Sequence, residues 1–403
     1  MRSTFCLVLL SILVSPLGAQ KPPKDATKPK DAPKAAKEKD SAKGAQDPAN
    51  TEAAKTAEEM KAKGFVEVDG IWVDKDRVAD AKRGLFHFDG QRVTKDEYRA
   101  MSAGKVRHPI TGELIVADAV ERARARSFPI DQDGRWVEEK DADKFHSAID
   151  SPWILTTQYY VLVSTLPIAK LESLREHADR AITRLRPVLG LCEPLPTARP
   201  TIVIAGTQDE FVKYGTNIGD ETSAYGAFLA REEASMQLPN QGGLRPAVCL
   251  WDEGWGPYYL PHATGLAYVN GLCVSNGCEV PMWFLHGLAS LGSRFENAST
   301  GTWFCQSMVK AGGLKSLDKW WKAYGINGDM EPDAISSNLT QAGLLLDYCI
   351  QGGDKDATAA LVAVTEAFQQ EKGAAIEKAV KALQSQLGKQ QDAIEKYLQK
   401  LLR

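Results

Sequence analysis

The stretch Tyr258–Glu296, "YYLPHATGLAYVNGLCVSNGCEVPMWFLHGLASLGSRFE", holds two of the chain's six histidines, His262 and His286. Two histidines at i and i+4 share one helix face, so both can reach one zinc ion, and a Glu beside the first serves as general base for the metal-bound water. Here Ala263 follows His262 and Leu266 stands four residues on. Alanine cannot transfer a proton and leucine cannot bind a metal, so peptide hydrolysis by that mechanism is not available. Other chemistries leave no mark. There is no Gly-x-Ser-x-Gly elbow, and no local signature supplies partners to His87, His108, His146 or His177 for a triad. The segment "GTQDEF" after Thr201–Ala205 lacks the glycines and lysine of a phosphate loop. Six of the nine tryptophans fall between 251 and 321. Trp251, Trp255 and Trp283 are candidate binding residues, lining a groove for peptide or glycan if exposed and belonging to the core if buried.

The elements that position these residues begin near Ser151. "WILTTQYYVLVSTL" is rich in β-branched and aromatic residues and reads as one long strand or a hairpin. "IAKLESLREHADRAITRLRPVLG" has helical apolar spacing and ends at Gly190. "RPTIVIA" reads as a buried strand, and "TSAYGAFLA" and "RPAVCLW" as two more. From Trp255 onward the pattern is helical, over 256–271, 281–295, 302–323, 338–351, 357–370 and 374–402. Strands first and helices afterwards predict an α+β domain over 151–403.

Residues 64–150 are different in kind. "FVEVDGIWVDKDRVADAKRG" and "LFHFDGQRVTKDEYRAMSAG" align without a gap at a 20-residue period, and "IDQDGRWVEEKDADKF" is a partial third copy. Asp-Gly between alternating apolar residues marks a tight hairpin, and the acidic run after it, with Asp74 or Thr94 as N-cap, marks a short helix. Ahead of these units, residues 20–63 carry almost no large apolar residue and read as a disordered tether. Residues 1–19 have a single Arg, an apolar run and small residues at Gly18-Ala19, the pattern of a secretory signal peptide. The sequence thus predicts a secreted, periplasmic or cell-envelope protein with no membrane span after signal removal. A formal net charge of −3 leaves no basic excess to neutralise phosphates, which argues against a nucleic-acid partner. Export makes the six remaining cysteines, Cys192, Cys249, Cys273, Cys278, Cys305 and Cys349, candidates for disulfides, with Cys273 and Cys278 across Asn276-Gly277 the easiest local bridge.

The order of elements, with "PMWFLHGLASL" after the His262 helix, resembles the secreted peptidase-MA-like, gluzincin-type zinc metallopeptidases. Trp283, Gly287, Leu288 and Ala289 match their Trp-x-x-Glu-Gly-Leu-Ala phrase, and "QAGLLLDYCIQGG" and the closing "AIEKAVKALQSQLGKQQDAIEKYLQKLL" resemble later helices. The resemblance implies a small strand sheet, a mostly helical C-terminal part and a zinc site. His262 would be the first ligand, Ala263 stands in the base's place, Leu266 in the second histidine's and His286 in the glutamate ligand's. The implied member is degenerate: a pseudo-metallopeptidase with no cofactor, binding a peptide, protein or envelope polymer in a remnant cleft. Two alternatives stay open. One is an active hydrolase with zinc on His262, His286 and a third ligand from Asp252, Glu253, Glu279 or Glu296. The other is a structural envelope protein.

Overall fold

An Asp-Gly pair closes a hairpin tightly when both residues take positive φ, a conformation that matches the twist of the flanking strands. The computed structural model shows this twice. β1 (Phe65–Val68) and β2 (Ile71–Asp74) are joined by Asp69 (φ 53°) and Gly70 (φ 79°), and β3 (Phe86–Phe88) and β4 (Gln91–Val93) by Asp89 (φ 47°) and Gly90 (φ 74°). The structure describes residues 57–130, 135–148, 150–207, 209–210, 235–238, 241–251, 256–325 and 330–403; for 235–259 and Pro332 it describes the backbone alone. The signal peptide, nearly all of the tether, Trp255, Asp252, Glu253, the Asp133-Gly134 turn and "TSAYGAFLA" lie outside these residues.

Each hairpin is followed by a short helix. α1 (Val78–Lys82) follows β2, and α2 (Lys95–Ser102) follows β4. Thr94 caps α2 in a full capping box, its hydroxyl accepting from Glu97 N (3.1 Å) while Glu97 accepts from Thr94 N (2.7 Å). Asp74 makes no such side-chain bond. Where the sequence predicts two copies and a partial third, the structure has four units. The unforeseen one pairs β5 (Lys105–Arg107) with β6 (Leu114–Val116), ahead of α3 (Val120–Arg124). The last pairs β7 (Ser127–Pro129) with β8 (Trp136–Glu138), ahead of α4 (Glu139–His146).

Residues Met60–Arg403 form one unit, and partly buried ion pairs fasten the hairpins within it. Glu97 accepts from Arg107 (3.1 Å) and from the 2%-exposed Arg199 (3.3 Å), and Arg92 reaches Glu193 (3.3 Å). Thr111, in the β5–β6 loop, accepts from Thr156 N (2.7 Å) at the end of the central sheet.

That sheet runs β12-β13-β11-β10-β9. β9 (Trp153–Thr156) and β10 (Val161–Ser164) are an antiparallel hairpin, β10, β11 (Thr201–Ala205) and β13 (Gln241–Trp251) are parallel, and β12 (Ser235–Leu238) returns antiparallel. Every residue of β11 is buried, as a central parallel strand covered on both faces requires. α5 (Ile168–Val188) connects β10 to β11 and packs on α6 (Gly256–Asn276). Then come α7 (Met282–Leu291), α8 (Ala298–Lys310), α9 (Leu317–Ala323), α10 (Pro332–Gln351), α11 (Lys355–Gln369), α12 (Gly373–Leu387) and α13 (Gln391–Leu401). The class is therefore mixed α+β. The helix expected over 302–323 is two, α8 and α9, because Gly312 (φ 120°) and Gly313 (φ 82°) leave the helical region. The span 374–402 likewise divides into α12 and α13 at Gly388.

Candidate functional site

Residues Leu260–Cys273 of α6 are all buried, which is the pattern of a helix enclosed on every side rather than one with a wet face. Glycines allow that enclosure. A Cβ on Gly265 would come within 2.8 Å of Ala289 Cα, so α6 and α7 cross nearly backbone to backbone. A Cβ on Gly287 would meet Ala342 O at 2.8 Å, so α7 and α10 do the same. His262 on α6 and His286 on α7 face one another across the first crossing, their ring centroids 5.9 Å apart and nearly perpendicular. They are 7% and 3% exposed.

Their neighbours decide what the pair can do. Ser293 donates its hydroxyl to Ala289 O (2.7 Å), which leaves its oxygen to accept, and His262 Nδ1 lies 3.4 Å away. That geometry suits a neutral His262 ring with its proton on Nδ1. Burial, the Arg294 guanidinium and His286, in that order, hold the His262 pKa well below the usual imidazole range. Arg294 itself donates to Ser336 Oγ (3.3 Å) and lies 4.3 Å over the Phe304 ring. Tyr324 packs its ring 5.8 Å from His286, and burial pushes its phenol pKa up. Below it, Trp320 Nε1 (3.1 Å) and Lys315 Nζ (2.9 Å) both donate to Asn338 Oδ1.

A resident zinc does not fit this set. Ala263 and Leu266, which follow His262 by one and four residues and carry no group that could ligate a metal or move a proton, are buried within the core. Of the third ligands considered, Glu296 accepts from Arg184 (2.9 Å) and Glu279 is exposed, while Asp252 and Glu253 lie outside the described residues. Among the described residues no three His, Cys, Asp or Glu side chains gather as a ligand set. What stands beside the two imidazoles is a guanidinium, whose fixed positive charge opposes a divalent cation as it opposes a proton.

Of the three candidate binding tryptophans, the side chain of Trp283 alone is among the described residues. Trp283 is 2% exposed, its indole donates to Gln384 Oε1 (3.0 Å), and Trp321 packs on it at 4.8 Å. It is core, because α12 and α9 cover the face that a groove would need open. Trp251 closes β13 in register with Ala205, its side chain undescribed. Among the described tryptophan side chains the exposed one is Trp303, at 59%. Of the cysteine side chains, Cys305 and Cys349 are fully buried and Cys192 is half-buried, while the side chain of Cys249 lies outside the described residues. Cys349 spends its thiol on Leu345 O in its own helix (3.2 Å).

Sequence reasoning missed Ser293, Arg294 and Tyr324. The first two sit in "GSRFE", directly after the second motif phrase, but nothing local says that Arg294 turns back toward His262. Compared with protein-family models and with curated proteins, the chain matches none.

Proposed function

We propose that this chain is an exported, non-catalytic protein built on a peptidase-like scaffold, which works by binding rather than by hydrolysis. The observation that carries this reading is the composition of the buried centre among the described residues: two imidazoles in ring contact, with the charge of the Arg294 guanidinium acting on His262. Nothing in that set activates water. A general base must reach the proton that it abstracts and titrate near working pH, and burial beside a fixed cation keeps His262 from doing the second. The ligand remains of the class that the sequence suggests: a peptide, a protein or an envelope polymer. With His262, His286 and Trp283 all closed from solvent, such a ligand contacts other surfaces of the domain or the hairpin units.

A second reading, a structural envelope component, is favoured by the same closure around Trp283. Both readings require that no metal be resident. The test is the metal content of the full chain, with thermal unfolding at increasing zinc. Substoichiometric zinc and an unchanged melting temperature are expected. One tightly held zinc per chain, lost on His286→Ala, would return the protein to the hydrolases. Binding and structural roles then separate by cosedimentation with envelope polymer and by titration with unstructured peptides.

A further inference from the structure

The turn at the end of α6 brings two cysteine residues together. Gly277 (φ 59°) takes the left-handed cap position. Its N–H donates to Val274 O (3.2 Å), and the N–H of Cys278 donates to Cys273 O (3.1 Å). This pair of bonds is the Schellman motif, in which the residue after the left-handed cap packs against the residue five positions before it. Those two residues are Cys273 and Cys278, 4% and 7% exposed. A backbone hydrogen bond between two residues holds their Cα atoms within the separation that a disulfide spans. Cys278 Sγ also lies 3.7 Å from Cys273 O, so its thiol is turned back toward the other residue.

We propose that Cys273 and Cys278 are a modification site, joined by an intrachain disulfide that clamps the C-terminal cap of α6. The oxidant is a disulfide of a thiol–disulfide oxidoreductase or of a small-molecule thiol. One cysteine attacks it as the thiolate and forms a mixed disulfide, and the second displaces the carrier. Two protons and two electrons leave the chain, and the oxidant departs as two thiols. Gly277, exposed at the tip of the turn, gives the approach. Cys305 and Cys349 have no such route, since both are fully buried and burial pushes each thiol up to about 12.

The clamp would act at a junction. Ser275 accepts from Leu195 N (2.7 Å) through its hydroxyl and from Arg83 (3.3 Å) through its carbonyl. Gly373, opening α12, sits so close that a Cβ there would come within 2.6 Å of Asn276 O and 3.1 Å of Cys278 Cβ. One bridge therefore fixes the point where the hairpin region, α6, α12 and the segment before β11 meet.

Export bears on this proposal only as the source of oxidant in the cell, so the test supplies the oxidant directly. The full chain is held in excess oxidised glutathione, quenched in acid, and alkylated under denaturing conditions. Cleavage after Glu253 and Glu279 releases segment 254–279, which carries these two cysteines and no other. That segment is expected two hydrogens lighter and unalkylated, with Cys305 and Cys349 alkylated. The oxidised protein is expected to melt at a higher temperature than the reduced one, a difference absent when Cys273→Ala and Cys278→Ala are combined. Full alkylation of both cysteines, or a glutathione adduct that persists on one of them, would overturn the proposal. The mass measurement on the unaltered chain decides it even if the double variant does not fold. Export is decided separately, by the N-terminal sequence of the mature protein.

Discussion

Mild acid should destabilise this protein through His262, and replacing His262 by Asn should remove that part of the effect. The ring is buried beside Arg294 and His286, so its folded-state pKa lies well below the ordinary value, burial being the largest cause. The unfolded chain takes up the proton first. Above about pH 6.5 neither state holds it and His262 contributes no slope. As pH falls through that range the unfolded state binds a proton that the folded state refuses, and stability drops by about 1.4 kcal/mol per pH unit until the folded pKa is reached. The loss from His262 accumulates at that slope over the whole interval between the ordinary imidazole range and the depressed folded-state pKa. His108 and His146, also depressed by burial first, give both proteins a shared background slope in the same direction. The quantity to measure is therefore the difference between two curves. Urea unfolding of the unaltered protein and of His262→Asn, at fixed ionic strength and about pH 7.5, 6.0 and 5.0, supplies it. The asparagine variant should start less stable and converge on the unaltered protein as pH falls. Curves that stay parallel to within about 0.5 kcal/mol would refute the reasoning, because His262 would then be taking up its proton in the folded state too.

Three further outcomes follow from the packing. Burial pushes the Glu97 carboxyl up, but Arg199, the Thr94 backbone bond and Arg107 together bring it down to about 2, so its contribution is present above the ordinary carboxylate range and is lost as pH falls toward that value. Glu97→Gln removes the carboxylate that pairs with the buried Arg199 and should cost about 3 kcal/mol in urea unfolding near neutral pH. Gly287→Ala forces a methyl group against Ala342 O and Leu346 at the α7–α10 crossing, and should lower stability by about 1–3 kcal/mol despite the better helix propensity of alanine. Trp283→Ala removes a core indole and should cost about 3–5 kcal/mol, whereas Trp303→Ala, on the surface, should stay within about 0.5 kcal/mol. Equal effects at the two tryptophans would contradict their assignment to core and surface.

The hairpin units were legible wherever their signal is local. Asp69-Gly70 and Asp89-Gly90 take positive φ as that dipeptide predicts, and Thr94 with Glu97 forms its capping box over three residues of sequence. The third unit escaped because its strands are joined through His108–Glu113 instead of an Asp-Gly pair. There, His108 Nδ1 accepts from Ile110 N and Thr111 N (both 3.2 Å) and its ring stacks on Phe128. A side chain organises that turn, and the ring it stacks on lies on another strand, so no dipeptide marks it. The sheet and helices follow the same division. The apolar run of β11 reads directly as a central strand, while the break between α8 and α9 rests on two glycines that a helical apolar pattern runs straight through.

By itself the sequence determined the α+β class, the hairpin turns, and the absence at Ala263 and Leu266 of the groups that zinc hydrolysis needs. These depend on residue type and on spacing within a few positions, where backbone sterics and side-chain chemistry act alone. Only the tertiary structure decided that His262 faces His286 with Arg294 beside them, and that Trp283 is core rather than groove. It also brought Gly373, at the start of α12, against the turn that ends α6. Each of these rests on two helices approaching almost to backbone contact at Gly265, Gly287 or Gly373, and burial of that kind belongs to the pair of helices rather than to either stretch of sequence.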